Sequence, residues 1–481
     1  MDATPPTTVD STRALTEGPL AFGVLKFGAP LVLGMILHTA FNLVDMFMIS
    51  RLPNSGPGLA ALGLCDMVTA VATIMSNGIS TATVAVIARR VGQRDAAGAQ
   101  QTTWQSLLIV AAFSVTFGLV GIFGNDLLIR GLMQAKGETA NIAARYLQVL
   151  MGGSFSIFVL LQLTAILRAY GHAKASAFLL ILGNVINVFL NVVFIYGEGP
   201  APDGLAWGAT LAHAFHVPRM GVEGAAWATL VGRTVPCVVG ALMIMLRRDG
   251  PKFHFGLWLP KWREILALLQ IGWPSSAQFV LRVGSILVFL SLISANYTTA
   301  TDPSALVAYS ICLRLETMAL FVGMGWGAAA ASYVGVNLGA GLLSRAKSAG
   351  YAAALYNVAF MMVLGVTYIV FADPILAFFN DTVAVREIGR AYLMRVAPAY
   401  TALGFGVVLS QAMSGAGATR ESLVLDAIVI VGITLPAAYV VTEVLALPAN
   451  ALFLAISTTN AVAALVFFAA YSRGRFLKKT L

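Results

Sequence analysis

One helical face near the start of the chain places a carboxylate and other polar groups within an otherwise apolar stretch. His38, Asn42 and Asp45 are spaced four and three residues apart, which puts them on the same face of a helix. An ionised carboxylate in an apolar span costs free energy, which a bound proton or cation offsets. We therefore expect this face to bind a coupling ion or a charged substrate. The structural alternative is a helix cap at Asp45 with hydrogen bonds between helices.

Two later apolar stretches carry polar residues at the same depth. Asn187 and Asn191 share a helical face, and Thr229 lies nine residues into the next stretch. At 1.5 Å per residue, these groups and Asp45 all lie about 10–15 Å below the outer membrane surface. The sequence therefore predicts that a carboxylate, two carboxamides and a hydroxyl meet in one polar layer.

The elements that would position this layer are membrane-spanning helices. Of 481 residues, 58% are hydrophobic and 11% are charged, against about 25% charged in a typical soluble domain. Apolar runs broken by glycine, proline and charge predict an all-α polytopic membrane protein with twelve transmembrane helices. The predicted spans are 19–50, 58–88, 99–123, 140–168, 174–197, 220–246, 264–296, 303–337, 347–371, 388–414, 420–443 and 448–471.

Charge orients these spans in the cytoplasmic (inner or plasma) membrane. Most basic residues that flank the spans fall on one side, which the positive-inside rule assigns to the cytosol. Both termini are then cytosolic, with tails at residues 1–18 and 472–481, and the polar start of the chain does not resemble a signal peptide. The net charge of +9 fits anionic lipid and requires no nucleic-acid partner.

The two halves of the chain repeat each other. Pro30 recurs as Pro274, 244 residues later, and Gly171 recurs as Gly417, 246 residues later. The repeat predicts two six-helix lobes, 19–246 and 264–471, joined by a basic cytosolic linker at 247–263, with a cleft between them. Duplicated membrane domains are the usual architecture of secondary transporters. We expect a monomer, and no ATP-binding or hydrolase motif is present.

Two further features concern single residues inside spans. Pro30 lies fifteen residues before Asp45, and a proline within a helix removes a backbone hydrogen bond, so the first span can bend there. Arg282 and Glu316 lie at matching depths in the seventh and eighth spans, which predicts an ion pair between them in the C-terminal lobe. This pair has either a structural or a functional role.

The sequence predicts no metal and no organic cofactor, leaving H⁺ or Na⁺ as the coupling ion. His213 and His216 have the spacing of a metal pair, but they lie in a long outer loop with no carboxylate or thiol partner in that run. The three cysteines stand far apart in separate apolar segments and are expected to be packing residues.

Eight stretches of the chain match the pattern of a known family: residues 28–30, 41–45, 88–92, 168–171, 187–191, 224–229, 313–316 and 334–341. Through them the chain resembles the multidrug and toxic compound extrusion (MATE) family of secondary antiporters along nearly its full length. The resemblance implies two six-helix lobes around a V-shaped central cleft, and export of organic compounds, usually cationic and amphipathic, by alternating access in exchange for inflowing H⁺ or Na⁺. The family's cation site falls on Asp45, Asn187, Asn191 and Thr229, and its bend-forming proline falls on Pro30.

The chain departs from the family pattern at two positions. Members with two acidic residues in the N-terminal lobe have aspartate where this chain has Asn191, and another branch has glutamate where this chain has Arg282. These differences leave Asp45 as the main expected coupling carboxylate.

Two other functions are possible from the sequence. A lipid-linked oligosaccharide flippase of the same superfamily would also use a cleft between lobes, but it would line that cleft with several basic residues. A polytopic membrane enzyme would need several convergent acids, bases or metal ligands, and only the layer around Asp45 is present.

Overall fold

The protein is built from helices. A computed structural model describes residues 13, 15–52, 55–202, 204–246, 259–299 and 302–479, with the backbone alone for residues 40–43. No strand occurs within these ranges, as expected where backbone polar groups must be satisfied inside a bilayer. The α-helices are α1 (Leu20–Ser50), α2 (Ser55–Gly92), α3 (Ala96–Phe123), α4 (Gly137–Gly152), α5 (Phe155–Ala169), α6 (Ala173–Tyr196), α7 (Ala206–Ala214), α8 (Val222–Leu246), α9 (Trp262–Tyr297), α10 (Ser304–Gly339), α11 (Leu343–Val370), α12 (Ala372–Phe379), α13 (Val383–Val396), α14 (Tyr400–Gly415), α15 (Thr419–Val429), α16 (Leu435–Tyr439) and α17 (Ala449–Arg473).

These helices account for the predicted membrane crossings. The described chain contains 11 helical stretches that are long and apolar enough to span a bilayer. The bent pair α4 and α5, which meet at an angle of 44°, is a twelfth if it counts as one span, and it corresponds to the single predicted span 140–168. The prediction of an all-α membrane protein with twelve transmembrane helices is confirmed.

Two of the crossings in the second half are irregular. The stretch Val383–Gly415 contains the 3₁₀ turn Ala397–Ala399, and the stretch Thr419–Val444 contains π-helical segments on both sides of α16. Each irregular stretch holds a proline, Pro398 or Pro436. Proline has no backbone N–H and clashes with the preceding turn, which favours departures from regular α-helix at these places.

The sequence repeat is also present in the backbone of the turns. Gly171, between α5 and α6, has φ of 87°, and its counterpart Gly417, between α14 and α15, has φ of 84°. Arg94 and Gly341, 247 residues apart after α2 and α10, also share a positive φ, 60° and 76°. Equivalent helix ends in the two halves therefore use the same left-handed turn, which glycine adopts without strain.

The packing of Cα atoms divides the chain into two compact units. Unit 1 contains Gly34–Thr83 and Ala96–Leu269, and unit 2 contains Val9–Leu33, Val84–Asp95 and Gln270–Leu481, in their described parts. Each of α1 and α2 has one part in unit 1 and the other part in unit 2, whereas the predicted lobes began and ended at whole helices. The lobe bounds 19–246 and 264–471 stay a prediction, and most of the predicted linker, residues 247–258, lies outside the described ranges.

Small residues bring α6 and α8 close together in unit 1. A Cβ added at Gly232 would lie 2.9 Å from Cβ of Asn187, and one added at Gly183 would lie 3.0 Å from the carbonyl oxygen of Gly232. At the other end of the crossing, a Cβ at Gly224 would lie 2.5 Å from the carbonyl oxygen of Phe194. Glycines at such crossings let helix backbones approach, which is a common basis of helix association in membranes.

Unit 2 contains a similar close crossing between the C-terminal ends of α2 and α10. A Cβ added at Gly92 would lie 2.0 Å from the carbonyl oxygen of Val336, and one added at Gly339 would lie 2.0 Å from the carbonyl oxygen of Arg89. Gly92 and Gly339 are equivalent positions of the sequence repeat. The two repeats therefore meet here through the same residue of each.

The start of the chain also packs within unit 2. Asn337 donates a hydrogen bond to the carbonyl oxygen of Leu15 over 3.2 Å. The ring of Phe27 meets the ring of Tyr333 edge-on, with 5.4 Å between centroids. These contacts join the first turns of α1, and the turn before it, to α10.

Candidate functional site

The predicted polar layer forms in unit 1. Asn191 donates a hydrogen bond from Nδ2 to Oδ1 of Asp45, and Asn187 and Thr229 are hydrogen-bonded to each other over 3.1 Å. Asn191 is fully buried, while Asn187 and Thr229 are each 9% exposed. The structure therefore brings together the four residues that helical depth and the family resemblance both indicate.

The Asn187 amide has two hydrogen-bonded orientations. With its nitrogen turned toward Asp45, it donates to Oδ1 over 3.1 Å while its oxygen accepts from Thr229 Oγ1 over 3.1 Å. With its oxygen turned toward Asp45, it accepts from Asn191 Nδ2 over 3.2 Å. An ionised carboxylate can only accept hydrogen bonds, whereas a protonated one also donates. The orientation of this amide can therefore follow the protonation state of Asp45.

A cavity of about 110 Å³ lies beside this layer. Its polar wall includes Asp45, Asn187 and Thr229, together with other polar side chains of α1, α2, α6 and α8. The rest of the wall is aliphatic, so the cavity combines an apolar surface with a few charged and amide groups, as small-molecule sites commonly do. The lining residues are His38, Asp45, Thr73, Ile157, Leu160, Leu161, Leu180, Gly183, Asn184, Asn187, Thr229 and Arg233.

His38 lies on the wall of the cavity as well. Its Nδ1 is 3.4 Å from Oδ1 of Asn184, the first of the three asparagines of α6. Asn184 Nδ2 is buried and has no hydrogen-bond partner among the described residues. The side chain of Asn42, predicted for the same helical face, lies outside the described residues.

Arg233 is a cavity residue that the sequence analysis missed. It follows Thr229 by four residues on α8, so both side chains lie on one helical face and line the cavity. Within the described residues it makes no hydrogen bond or ion pair, and its charge interacts through space with Asp45 and Asp66. An isolated arginine in a predicted span, one turn from a proposed site residue, was the signal that could have revealed it.

Pro30 lies within α1, which is helical on both sides of it from Leu20 to Ser50. The division between the two compact units falls between Leu33 and Gly34, just after this proline. Pro30 therefore belongs to unit 2, and Asp45, on the same helix, belongs to unit 1. Bending at Pro30 stays a prediction.

The predicted ion pair between Arg282 and Glu316 is wrong. Arg282 donates from Nη2 to both carboxylate oxygens of Asp426, over 3.0 and 3.3 Å. Gln278, one turn before Arg282 on α9, donates to the same carboxylate over 2.8 Å. Glu316 instead accepts a hydrogen bond from the hydroxyl of Tyr392 over 2.8 Å. Equal depth placed Glu316 near Arg282, but the acidic partner is on α15.

The residues weighed as metal ligands do not form a metal site in the described part of the chain. No group of three or more histidine, cysteine, aspartate or glutamate side chains is placed to hold an ion there. His213 and His216 do have a carboxylate neighbour, because Nδ1 of each lies 3.8 Å from Oε1 of Glu198. The three cysteines are buried and free.

Comparison with known proteins agrees with this architecture. Three relatives each match more than four fifths of the chain. The chain is 24% identical to "Probable multidrug resistance protein YpnP" of Bacillus subtilis (strain 168), over 86% of each chain. It is 22% identical to "Probable multidrug resistance protein NorM" of Thermotoga maritima, over 87% of this chain and 85% of the relative. It is 23% identical to the "FAD transporter" of Shewanella oneidensis, over 89% of each chain.

Solved structures show the same fold. An outward-facing multidrug resistance MATE family transporter of the MOP superfamily matches with a TM-score of 0.86 and 24% identity, over 98% of this chain and 99% of that one. A MOP superfamily transporter from Pyrococcus furiosus matches with a TM-score of 0.86 and 25% identity over the same shares. A family model, MatE, matches residues 30–193 and 283–440, which is more than half of the chain. The chain belongs to the MatE family of multidrug efflux transporters and is not an enzyme.

Proposed function

We propose that this protein is a secondary antiporter that exports organic compounds in exchange for inflowing H⁺ or Na⁺, with Asp45 as the coupling carboxylate. One observation carries the proposal. Asp45 lies inside an apolar helix, receives an amide hydrogen bond from Asn191 and, in one orientation of its amide, from Asn187, and lines a cavity. A carboxylate held in this way can exchange a small cation for a cationic group of a substrate.

The polar layer supplies the ligands that either coupling ion would need. Asn191 Oδ1 is buried and has no hydrogen-bond partner among the described residues. The nitrogen of the same amide contacts the carboxylate of Asp45, and Asn187 and Thr229 supply two more oxygens. Oxygen ligands suit a hard cation such as Na⁺. A proton on Asp45 would instead be donated to the oxygen of Asn187. In both cases the negative charge of Asp45 is neutralised.

Neutralisation of Asp45 is the step that would release a substrate. A cationic substrate held by the ionised carboxylate loses its charge partner when a proton or sodium ion binds there. Transport then requires that the substrate-bound protein and the ion-bound protein favour different conformations. A ligand shifts a conformational equilibrium only if it binds the two conformations with different affinity. Pro30, on the same helix, is the place where we expect α1 to bend.

The range of substrates is expected to be broad. The names of two relatives describe multidrug resistance, and a third is named an FAD transporter, so membership in this family does not restrict the cargo to cations. The lipid-linked flippase is not favoured, because the relatives are named as drug or FAD transporters. Organic amphiphiles with a protonated amine remain our first expectation, because they match the charge of Asp45.

Transport by the purified protein in liposomes would test the proposal. Ethidium or norfloxacin would be loaded, and pH and sodium gradients would be imposed separately. We expect one gradient to drive transport, and we expect Asp45→Asn to abolish it while the protein still folds. Asp126→Asn is the matched control, because Asp126 pairs only with Arg130 at the surface among its described contacts. Normal transport by Asp45→Asn would refute the role of Asp45, and transport without either gradient would refute antiport.

We also propose that the protein is a monomer in the cytoplasmic membrane with both termini in the cytosol. The excess of basic residues on one side of the predicted spans supports this orientation. A C-terminal fluorescent protein should then fold and fluoresce in cells, whereas a C-terminal alkaline phosphatase should be inactive. Light scattering of the purified protein would give the oligomeric state.

A further inference from the structure

Arg233 places a positive charge in the same cavity as the carboxylate of Asp45. Its side chain lines the cavity on α8, one turn beyond Thr229. A guanidinium has five N–H donors and stays charged, so inside a membrane-spanning helix it requires an anionic or polar partner. Within the described residues Arg233 has neither a hydrogen bond nor an ion pair.

The two opposite charges of the cavity do not form an ion pair with each other among the described contacts. Asn191 donates to Asp45 from α6, and Asn187 also does so in one of its two amide orientations, which holds the carboxylate on that side. Asn187 in turn contacts Thr229, and Arg233 lies four residues, about 6 Å, further along α8. No direct ion pair between Arg233 and Asp45 forms among the described contacts. The cavity therefore presents a positive and a negative group at separate positions.

The remaining wall suits an apolar body between two charged ends. Ile157, Leu160 and Leu161 of α5 and Leu180 of α6 line it. The enclosed part of the cavity measures about 110 Å³, and the cavity is open beyond it, so the body of a drug-sized molecule can extend outward while its charged groups contact the wall. Arginine binds carboxylates through two parallel hydrogen bonds, which lysine and amide side chains do not reproduce.

We propose that Arg233 binds a carboxylate on the substrate, so that this transporter selects amphiphiles carrying both a carboxylate and an amine over purely cationic ones. This inference rests on the proposed function, because it takes the cavity beside Asp45 as the transport site. In this arrangement Asp45 receives the amine and Arg233 receives the carboxylate. The cavity then distinguishes substrates by two charged groups, the amine and the carboxylate.

A matched pair of ligands tests this assignment. Norfloxacin carries a carboxylate and an amine, and its ethyl ester keeps the ring system and the amine but lacks the carboxylate. We expect the wild-type protein to bind norfloxacin at least about tenfold more tightly than the ester, the difference that one charge-assisted hydrogen bond typically provides. In Arg233→Gln, norfloxacin binding should weaken about tenfold or more, with ester binding changed less than about threefold.

Two further variants make the result interpretable. Arg130→Gln, at a surface position that bonds Asn141, should leave both affinities unchanged. Arg233→Lys keeps the charge but loses the planar pair of donors. It should weaken norfloxacin binding several-fold without affecting the ester, and it provides the test if Arg233→Gln does not fold. Equal loss for the two ligands, or no loss for norfloxacin, would overturn the assignment.

The same measurements separate this inference from the proposed function. If the wild-type protein transports the ester and norfloxacin equally well under an ion gradient, antiport stands and the role of Arg233 fails. If neither compound nor ethidium is transported under either gradient, the proposed function itself fails.

Discussion

The ion pair between Arg282 and Asp426 allows a quantitative test of the packing of unit 2. Asp426 is 4% exposed overall and accepts hydrogen bonds from Arg282 and from Gln278. Arg282→Met would remove the guanidinium at similar side-chain length. The carboxylate would then be buried with a single amide donor.

The expected cost follows from this geometry. Breaking a buried ion pair by removing one partner typically costs about 3–5 kcal/mol. The Gln278 hydrogen bond remains and the Arg282 side chain is 32% exposed, so the lower end of that range applies. We therefore expect Arg282→Met to lower the free energy of unfolding by roughly 3 kcal/mol. Asp426→Asn should cost less, because its amide can still accept from Gln278 and from Arg282.

A double-mutant cycle measures the coupling between the two residues. The free energy of unfolding of each single variant, and of the double variant Arg282→Met with Asp426→Asn, would be measured by denaturant titration in detergent micelles. We expect the loss in free energy of unfolding of the double variant to be smaller than the sum of the two single losses by about 1–3 kcal/mol. Glu316→Gln is the control, because Glu316 contacts Tyr392 and should combine additively with Arg282→Met. Additivity for the Asp426 cycle, or coupling in the Glu316 cycle, would refute the assignment.

Two other predictions concern single helices. Pro30→Ala restores a backbone donor in α1, and we expect it to slow transport more than it weakens substrate binding. Equal rates in variant and wild type would make Pro30 a passive feature. Gly92→Ala places a methyl group 2.0 Å from the carbonyl oxygen of Val336, closer than any van der Waals contact, so α2 must shift and thermal stability should fall. Gly63→Ala, on the same helix with nothing within 4 Å, should leave stability unchanged or raise it.

Much of the fold could be predicted because the bilayer restricts the choices. A chain with this hydropathy has to form helices, and glycine and charge mark their ends, so the number of crossings was predictable. The repeat was visible because left-handed turns require glycine at positions such as Gly171 and Gly417. The break between α4 and α5 was not visible, since both halves are apolar and helix-forming.

The site residues were predicted correctly only where their depth in the membrane was enough to identify them. Depth along a helix follows from residue counting, and it brought Asp45, Asn187 and Thr229 to one level. The rotation of each helix and its choice of neighbour do not follow from counting. Arg282 was therefore paired with Glu316 on the next helix in sequence, whereas its partner, Asp426, is 144 residues away. Arg233 could have been found in the same way as the layer, because its spacing of four residues from Thr229 puts both on one helical face.

The division of α1 and α2 between the two units affects how the chain can fold during synthesis. Residues 15–33 and 84–92 are made early, but their packing partners, including Tyr333, Val336 and Asn337, are made more than 200 residues later. The N-terminal part of α1 and the C-terminal part of α2 are therefore synthesised before α10, the helix against which they pack. An isolated N-terminal half would expose those ends to lipid or to chaperones. The native state depends on contacts of high sequence separation, so the two repeats are not autonomous folding units.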